Sequence, residues 1–333
     1  MIDDKNIERA LDSILVPGAN RSPVQLNLVR SVERNDGLVR VVLGDAALTG
    51  EVKQALEESV RVAVAAVTGD DATVEFISAK PEEVNEIRHT VAVMSGKGGV
   101  GKSLVTGLLA AELRRRGYSV GILDADLTGS SMPKIFGVEG RPLGSESGIL
   151  PVLTRSGMPM ISMNLLLERD DQPVIWRGPL IDKAIRQFGK EVLWGKLDYL
   201  FIDLPPGTAD AVLTVMQAFP IDGVVVVFTP QDLVEMIVRK ALNMAEMMQK
   251  RVLGVVENMS YLYVPELDKK LELFGPGRGE EMAKVAKAPL LAQIPVDPTI
   301  AKLCDAGDIE SYDAAPVREL ADELLKTLGE PAK

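Results

Sequence analysis

Residues 95 to 103 read Ser95-Gly96-Lys97-Gly98-Gly99-Val100-Gly101-Lys102-Ser103, which fits the spacing G-x-x-x-x-G-K-[ST]. A run so rich in glycine does not extend a strand or a helix; it makes a turn whose backbone N–H groups point at a common centre. What flanks it decides the fold. His89-Thr90-Val91-Ala92-Val93-Met94 is an apolar run of buried-strand length, and Leu104, Leu108 and Ala111 recur at helical spacing before Gly117. Strand, glycine turn and helix in that order predict a phosphate cradle at a helix N-terminus, where the dipole and the free N–H groups both favour an anion. Gly96, Lys97, Gly98, Gly99, Val100 and Gly101 are expected to wall the cradle, Lys102 to reach the β and γ phosphates, and the Ser103 hydroxyl to ligate Mg2+. An ordinary glycine-rich turn is the competing reading, which the flanking elements disfavour.

Downstream of residue 90 apolar strands alternate with helices: Ser119 to Leu123, Met158 to Ile161, Tyr199 to Ile202, Val224 to Phe228, Leu253 to Val256 and Leu290 to Ile294. Near-continuous apolar strands separated by helical patterns predict an α/β fold, a doubly wound and mostly parallel sheet covered on both faces. The first 79 residues differ. A helix with Ile7, Ala10, Leu11 and Ile14 on one face precedes two strands around Asp36-Gly37; then come a helix capped by Thr49 and a strand Thr73 to Ile77. This order predicts a small α+β domain over 1–79, a linker over 80–89 around Lys80-Pro81-Glu82-Glu83, and the phosphate-loop (P-loop) domain over 90–333. Gly137 to Gly148 reads as a long, mobile connection.

Composition narrows the partners. The 333 residues carry a formal net charge of -11, which argues against a surface that tracks phosphodiester backbones and disfavours a DNA-positioning role. No apolar run approaches the ~18 residues that cross a bilayer, and Val317 to Leu328 has an acidic polar face unsuited to anionic lipid. No nucleic acid, no membrane and a cytoplasmic location are the expectations. Cys304 is the single cysteine, so one chain forms neither a disulfide nor an all-cysteine metal site.

In a doubly wound sheet the active crevice lies at the carboxyl ends of strands. Asp203 ends Tyr199-Leu200-Phe201-Ile202 and is expected in the Mg2+ shell. Asp126 is expected to orient the attacking water, with Asp124 supporting the metal, because in-line attack on a γ phosphate needs positioning above all. Turn or helix capping is the alternative for each aspartate taken singly. Pro205-Pro206-Gly207-Thr208 can bring the Gly207 N–H against the γ phosphate and shift when it leaves. Lys97, a second lysine in the cradle, has no evident task on its own phosphate and could stabilise transition-state charge on a dimer partner's nucleotide; a solvated loop lysine is the alternative. Trp176-Arg177 is a candidate partner anchor or a packed loop. Met236, Met244, Met247 and Met248 read as core or dimer packing ahead of an adaptable surface. His89, the only histidine, receives no ligand role.

Taken together these residues resemble the deviant Walker A ATPases, and more narrowly the Mrp/NBP35 (ApbC) family of iron–sulfur cluster carriers. Besides Ser95 to Ser103, the likeness rests on Asp124 to Ser131, Trp176-Arg177-Gly178-Pro179, Trp194 to Tyr199, Asp203 to Thr208 and Glu257-Asn258-Met259-Ser260-Tyr261. The first domain resembles the DUF59 or MIP18 type. The resemblance implies a homodimer closing over two ATP molecules with Lys97 acting in trans, Asn258 reading the adenine edge, Pro295 to Asp297 lining the base, and apoproteins or assembly factors as partners. It also implies a [4Fe–4S] cluster on two cysteines per chain after the Asn-Met-Ser-Tyr motif. Val264 and Leu267 stand there in this chain, so the ligands are absent. The expected function is a slow, partner-coupled ATPase in iron–sulfur cluster assembly or transfer. The alternative is a nucleotide-gated adaptor that carries no cluster.

Overall fold

The structure, a computed structural model, describes residues 5–35, 37–126, 129, 131–166, 178–207, 210–231 and 234–329. It divides into two compact units. The first comprises 1–88, 140–153 and 186–197, and the second 89–139, 154–185 and 198–333.

In the first unit helix α1 (Lys5–Asp12) buries Ile7, Ala10 and Leu11. Strands β1 (Val29–Asn35) and β2 (Leu38–Gly44) pair antiparallel, and β3 (Asp71–Ile77) joins β2 in parallel. Helix α2 (Gly50–Thr68) starts where the Thr49 hydroxyl accepts from the Val52 N–H at 3.3 Å. It ends at Gly69, whose φ of 74° suits a residue without a Cβ. Leu56, Val60 and Val64 of α2 meet Ile7, Leu11 and Leu43 in one core. Residues 140–153 and 186–197 supply Leu150 and Leu193 to that core. Buried Arg21 donates to the Trp194 carbonyl at 2.6 Å, and Asn85 donates to the Val192 carbonyl at 2.8 Å.

Two expectations are corrected here. The segment 80–89 is no free linker: Pro81–Val84 forms a helical turn with Pro81 and Val84 buried, and strand β4 (Glu86–Met94) begins at once. The glycine-rich connection contains an antiparallel pair, Leu143–Ser145 with Gly148–Leu150. Neither stretch has a long periodic pattern, so their structure comes from contacts made by residues distant in the chain.

The second unit is built on β4, β5 (Val120–Asp124), β6 (Pro159–Ser162), β7 (Lys196–Asp203), β8 (Gly223–Phe228), β9 (Arg251–Glu257) and β12 (Leu290–Gln293). Their spatial order is β12-β9-β8-β4-β7-β5-β6. The pairs β12/β9, β9/β8, β8/β4, β7/β5 and β5/β6 are parallel. Helix α3 (Lys102–Arg115) follows β4, α4 (Asp210–Ala218) follows β7 and α5 (Val234–Met247) follows β8. A small antiparallel pair, β10 (Leu262–Val264) and β11 (Lys269–Leu271), comes after β9; then come α6 (Gly279–Ala286), α7 (Pro298–Asp305) and α8 (Ala315–Leu328). From β4 the chain runs to one side of the sheet and later returns to the other. Strand order thus switches at β4, and a ligand crevice opens at its carboxyl end.

Candidate functional site

Sheet order decides which strand ends meet. Because β7 and β8 flank β4, the residues that follow them flank the glycine loop, and β5 and β9 stand one place further out. Register aligns Asp203 with Asp124, and Phe228 with Glu257. The loop turns through Gly99 at φ 78° and Gly101 at φ 79°. A Cβ on Gly96 would lie 2.0 Å from the Ile237 carbonyl oxygen of α5, and one on Gly101 would lie 2.1 Å from Asn258 Nδ2. Gly96 needs glycine for close approach, and Gly101 for close approach as well as for turning. A cavity of about 430 Å³ opens here, lined by the loop from Gly98 to Leu104 together with Ser95, Asp126, Ile135 and Pro206 among others.

Charge is concentrated at its floor. Lys102 Nζ donates to Asp203 Oδ1 at 2.7 Å and lies 3.5 Å from Asp126 Oδ2. Ser103 Oγ donates to Asp203 Oδ2 at 2.5 Å, and Thr106 Oγ1 donates to Oδ1 at 3.1 Å. Complete burial pushes the Asp203 carboxyl up from its ordinary value, against the opposing pull of Lys102 and the two hydroxyls. Asp124 accepts from the Asp126 N–H at 3.1 Å and from Ser162 Oγ at 3.2 Å. A serine hydroxyl beside two fully buried carboxylates, all oxygen, is a donor set for a hard cation that keeps part of its water shell. Among the described residues no group of three or more His, Cys, Asp and Glu side chains gathers as an all-protein metal cage. Mg2+ held jointly by protein, water and phosphate requires none.

Around this floor the other expected residues take definite places. Gly207, at φ 79°, donates its N–H to the Ser95 carbonyl at 3.1 Å. Asn258 is buried beneath the loop and donates to the Val100 carbonyl at 2.9 Å. Pro295 and Asp297 do not line the cavity, but Ser260 N donates to Ile294 O at 2.9 Å, which sets them beside the Asn258 loop. Asp297 accepts from the Thr299 N–H at 2.7 Å and from the Tyr312 hydroxyl at 2.9 Å, so its carboxylate caps α7. Lys97 Nζ donates to Gln231 Oε1, and Ser95 Oγ donates to the Lys97 carbonyl at 2.8 Å.

Thr106 and Gln231 were not singled out in the sequence, and Glu257 only as part of a longer motif. Thr106 could have been found, because it lies one turn beyond Lys102 on the same helix face. Gln231 follows an apolar strand just as Asp203 does. Glu257 is fully buried and accepts from Arg278 N at 2.6 Å, Ser260 Oγ at 2.7 Å and Gln293 Nε2 at 2.5 Å, so it ties the Asn258 loop to two neighbouring segments. His89 stacks on Tyr199 with ring centroids 5.5 Å apart. Met244 is buried while Met236 and Met247 are exposed. Trp176, Arg177 and Thr208 lie outside the described residues.

At the two positions where the family resemblance implies cluster cysteines, Val264 ends β10 and Leu267 is exposed just beyond it. Cys304 lies apart on α7, half-buried, its thiol pushed up by burial and by the Asp305 charge.

Residues 86–328 match the family described as NUBPL iron-transfer P-loop NTPase. The chain belongs to that family. Residues 4–76 match a second one, described as iron–sulfur cluster assembly protein. Among relatives of this P-loop NTPase is an iron–sulfur cluster carrier protein of Clostridium perfringens, 47% identical over 236 residues, with 68% of this chain and 83% of that protein covered. Another, from Synechocystis, is 38% identical over 295 residues, covering 84% and 83%. A nucleotide-binding protein from Archaeoglobus fulgidus, solved in complex with ADP, matches at TM-score 0.63 and 46% identity over 70% of this chain and 91% of its own. The MinC:MinD complex of Aquifex aeolicus, at TM-score 0.51 and 21% identity over 74% and 98%, shares the fold. Among the described residues no helix is long and apolar enough to cross a membrane.

Proposed function

We propose that this P-loop NTPase is a homodimer that binds and slowly hydrolyses Mg·ATP, and that hydrolysis serves the assembly or transfer of iron–sulfur clusters. One observation carries the nucleotide half: a glycine loop, Lys102 and Asp126 line one cavity at the sheet's switch point, with the strand-end carboxylates Asp203 and Asp124 bound to Lys102 and to the Asp126 N–H beneath it. Loop amides and Lys102 take the β and γ phosphates, with Lys102 passing from Asp203 to phosphate oxygen. Ser103, Asp203 and Asp124 would hold Mg2+, directly or through water, and the ion would supply positive charge against the phosphates. Asp126 orients the attacking water and Lys97 meets the charge that develops on the partner protomer's nucleotide. Gly207 shifts with the γ phosphate, while Asn258 and the Pro295 to Asp297 segment receive the base. A cytoplasmic site of action accords with the acidic composition, a formal net charge of -11.

The cluster is cargo, and the chain's own thiols limit how it is held. One cysteine per chain gives two thiolates per dimer, so four-thiolate ligation needs donors from another protein. A second reading follows from the same observation: the dimer is a nucleotide-gated adaptor between carriers and recipient apoproteins, holding no cluster itself. Anaerobic reconstitution with iron and sulfide tests cargo binding. About four irons per dimer support direct carriage; fewer than about two, with ATP hydrolysis intact, leave the adaptor. Isothermal calorimetry tests the nucleotide half, and no heat from either Mg·ATP or Mg·ADP would sink it.

A further inference from the structure

Lys97 does not stand free above the loop. Its ammonium donates to the side-chain carbonyl of Gln231, a residue 134 positions away that follows β8, the strand beside β4. The backbone on which Lys97 rides is fixed at the same time. Ser95 Oγ donates to the Lys97 carbonyl at 2.8 Å, and the Gly207 N–H donates to the Ser95 carbonyl at 3.1 Å. The Ile237 carbonyl of α5 would lie 2.0 Å from any Cβ on Gly96, so the backbone before Lys97 packs closely against that helix. With the main chain anchored, the ammonium reaches a second position only by side-chain rotation, and that rotation breaks the Gln231 bond.

We propose that Gln231 is a positioning residue for the hydrolysis reaction: its amide carbonyl holds Lys97 in an intramolecular resting position, and release of that bond is part of the free energy needed to bring Lys97 to a triphosphate. This inference rests on the assignment of Lys97 to hydrolysis made above. A neutral amide is suited to the task. It binds an ammonium well enough to populate one rotamer, yet a phosphate oxygen carrying negative charge outcompetes it. A carboxylate at 231 would compete much better, and an isosteric apolar side chain would not compete at all. The geometry therefore predicts opposite effects from Gln231→Glu and Gln231→Leu, whereas a purely structural role for Gln231 predicts loss in both.

The test measures steady-state ATP hydrolysis by full-length protein, together with the reactivity of Lys97 toward an amine-acylating reagent read by peptide mass spectrometry. For Gln231→Glu, kcat falls about 2- to 5-fold, the range an exposed ion pair supports, and recovers as salt is raised. For Gln231→Leu, kcat rises by a similar factor with KM for ATP within twofold, and Lys97 acylates faster than in the wild type. Changes of the same sign in the two variants, or none in either, would overturn the proposal. Lys97→Ala separates it from the reading beneath it. If that variant hydrolyses ATP at the wild-type rate, the assignment of Lys97 to hydrolysis fails, and acylation alone judges the contact: unchanged Lys97 reactivity in Gln231→Leu then removes the resting position as well.

Discussion

Lys102→Ala tests the floor of the site by leaving Asp203 buried without its cation. In the wild type the pair is 2.7 Å apart with both side chains nearly or fully inaccessible to solvent. Breaking a buried pair from one side typically costs about 3–5 kcal/mol. The residual Ser103 and Thr106 hydroxyls donate to the carboxylate but carry no charge. Protonation of Asp203 sets a ceiling on the loss. Bringing a carboxyl of unfolded pKa ~3.9 to its protonated form costs about 4 kcal/mol at pH 7 and about 1.5 kcal/mol at pH 5.

The direction with pH follows from the proton count. Burial already pushes Asp203 up, and removing Lys102 takes away the strongest opposing pull. A carboxyl whose folded pKa exceeds its unfolded value binds more protons when folded, so stability falls as pH climbs from the unfolded value toward the folded one. Urea unfolding followed by far-UV circular dichroism should therefore show Lys102→Ala destabilised by about 3–4 kcal/mol at pH 7 and by about 1–2 kcal/mol at pH 5. The double variant Lys102→Ala/Asp203→Asn should lose that pH dependence. A deficit equal at both pH values, or one that persists in the double variant, would refute the view that Asp203 is the group left uncompensated. Nucleotide binding should be abolished or turnover lost in the single variant at either pH.

Lys97→Ala should keep ATP affinity within a few-fold of wild type by calorimetry while hydrolysis drops by a factor of about 10³ or more, the scale of a cation that meets transition-state charge. Gly101→Ala combines strain at φ 79° with a Cβ 2.1 Å from Asn258 Nδ2, so Asn258 must leave the Val100 carbonyl; we expect ATP affinity to weaken at least about tenfold, from about 1–2 kcal/mol of backbone strain plus the lost bond. Asp297→Ala should cost about 0.5–2 kcal/mol in thermal or urea unfolding, as for other helix caps. Burial raises the Asp297 carboxyl, but the Thr299 and Tyr312 hydrogen bonds outweigh it and hold the group below its ordinary value. Its contribution is accordingly present above the unfolded carboxyl value and is lost as pH falls through the lower folded one, so variant and wild type should converge in acid.

Much of the site could be read before any fold was known, for a local reason. A phosphate cradle is made by consecutive residues, so Gly98, Gly99, Gly101, Lys102 and Ser103 announce it in one stretch, and Asp124 and Asp203 stand out as acids ending apolar runs. Strand boundaries moved by a few residues: Tyr199 to Ile202 lengthened to Lys196–Asp203, and Leu253 to Val256 to Arg251–Glu257. Neither change moved a functional residue off its strand end. Contacts across the chain were harder to see. Gln231 and Glu257 both come after apolar runs, but which groups they meet is not visible until β8 is set beside β4 and β9 beside β8.

The amino-acid order alone determined that a triphosphate-sized anion has a cradle here, that a parallel sheet backs it, and that a single cysteine limits what the chain can ligate. These follow from backbone freedom, hydrophobic period and counting, none of which needs a distant neighbour. Only the tertiary structure decided that Asp203 takes Lys102, Ser103 and Thr106 together, that Lys97 rests on Gln231, and that residues 140–153 and 186–197 belong with the N-terminal unit. Each of these depends on which strand lies beside which, and that order is set by burial of whole faces rather than by any local run of residues.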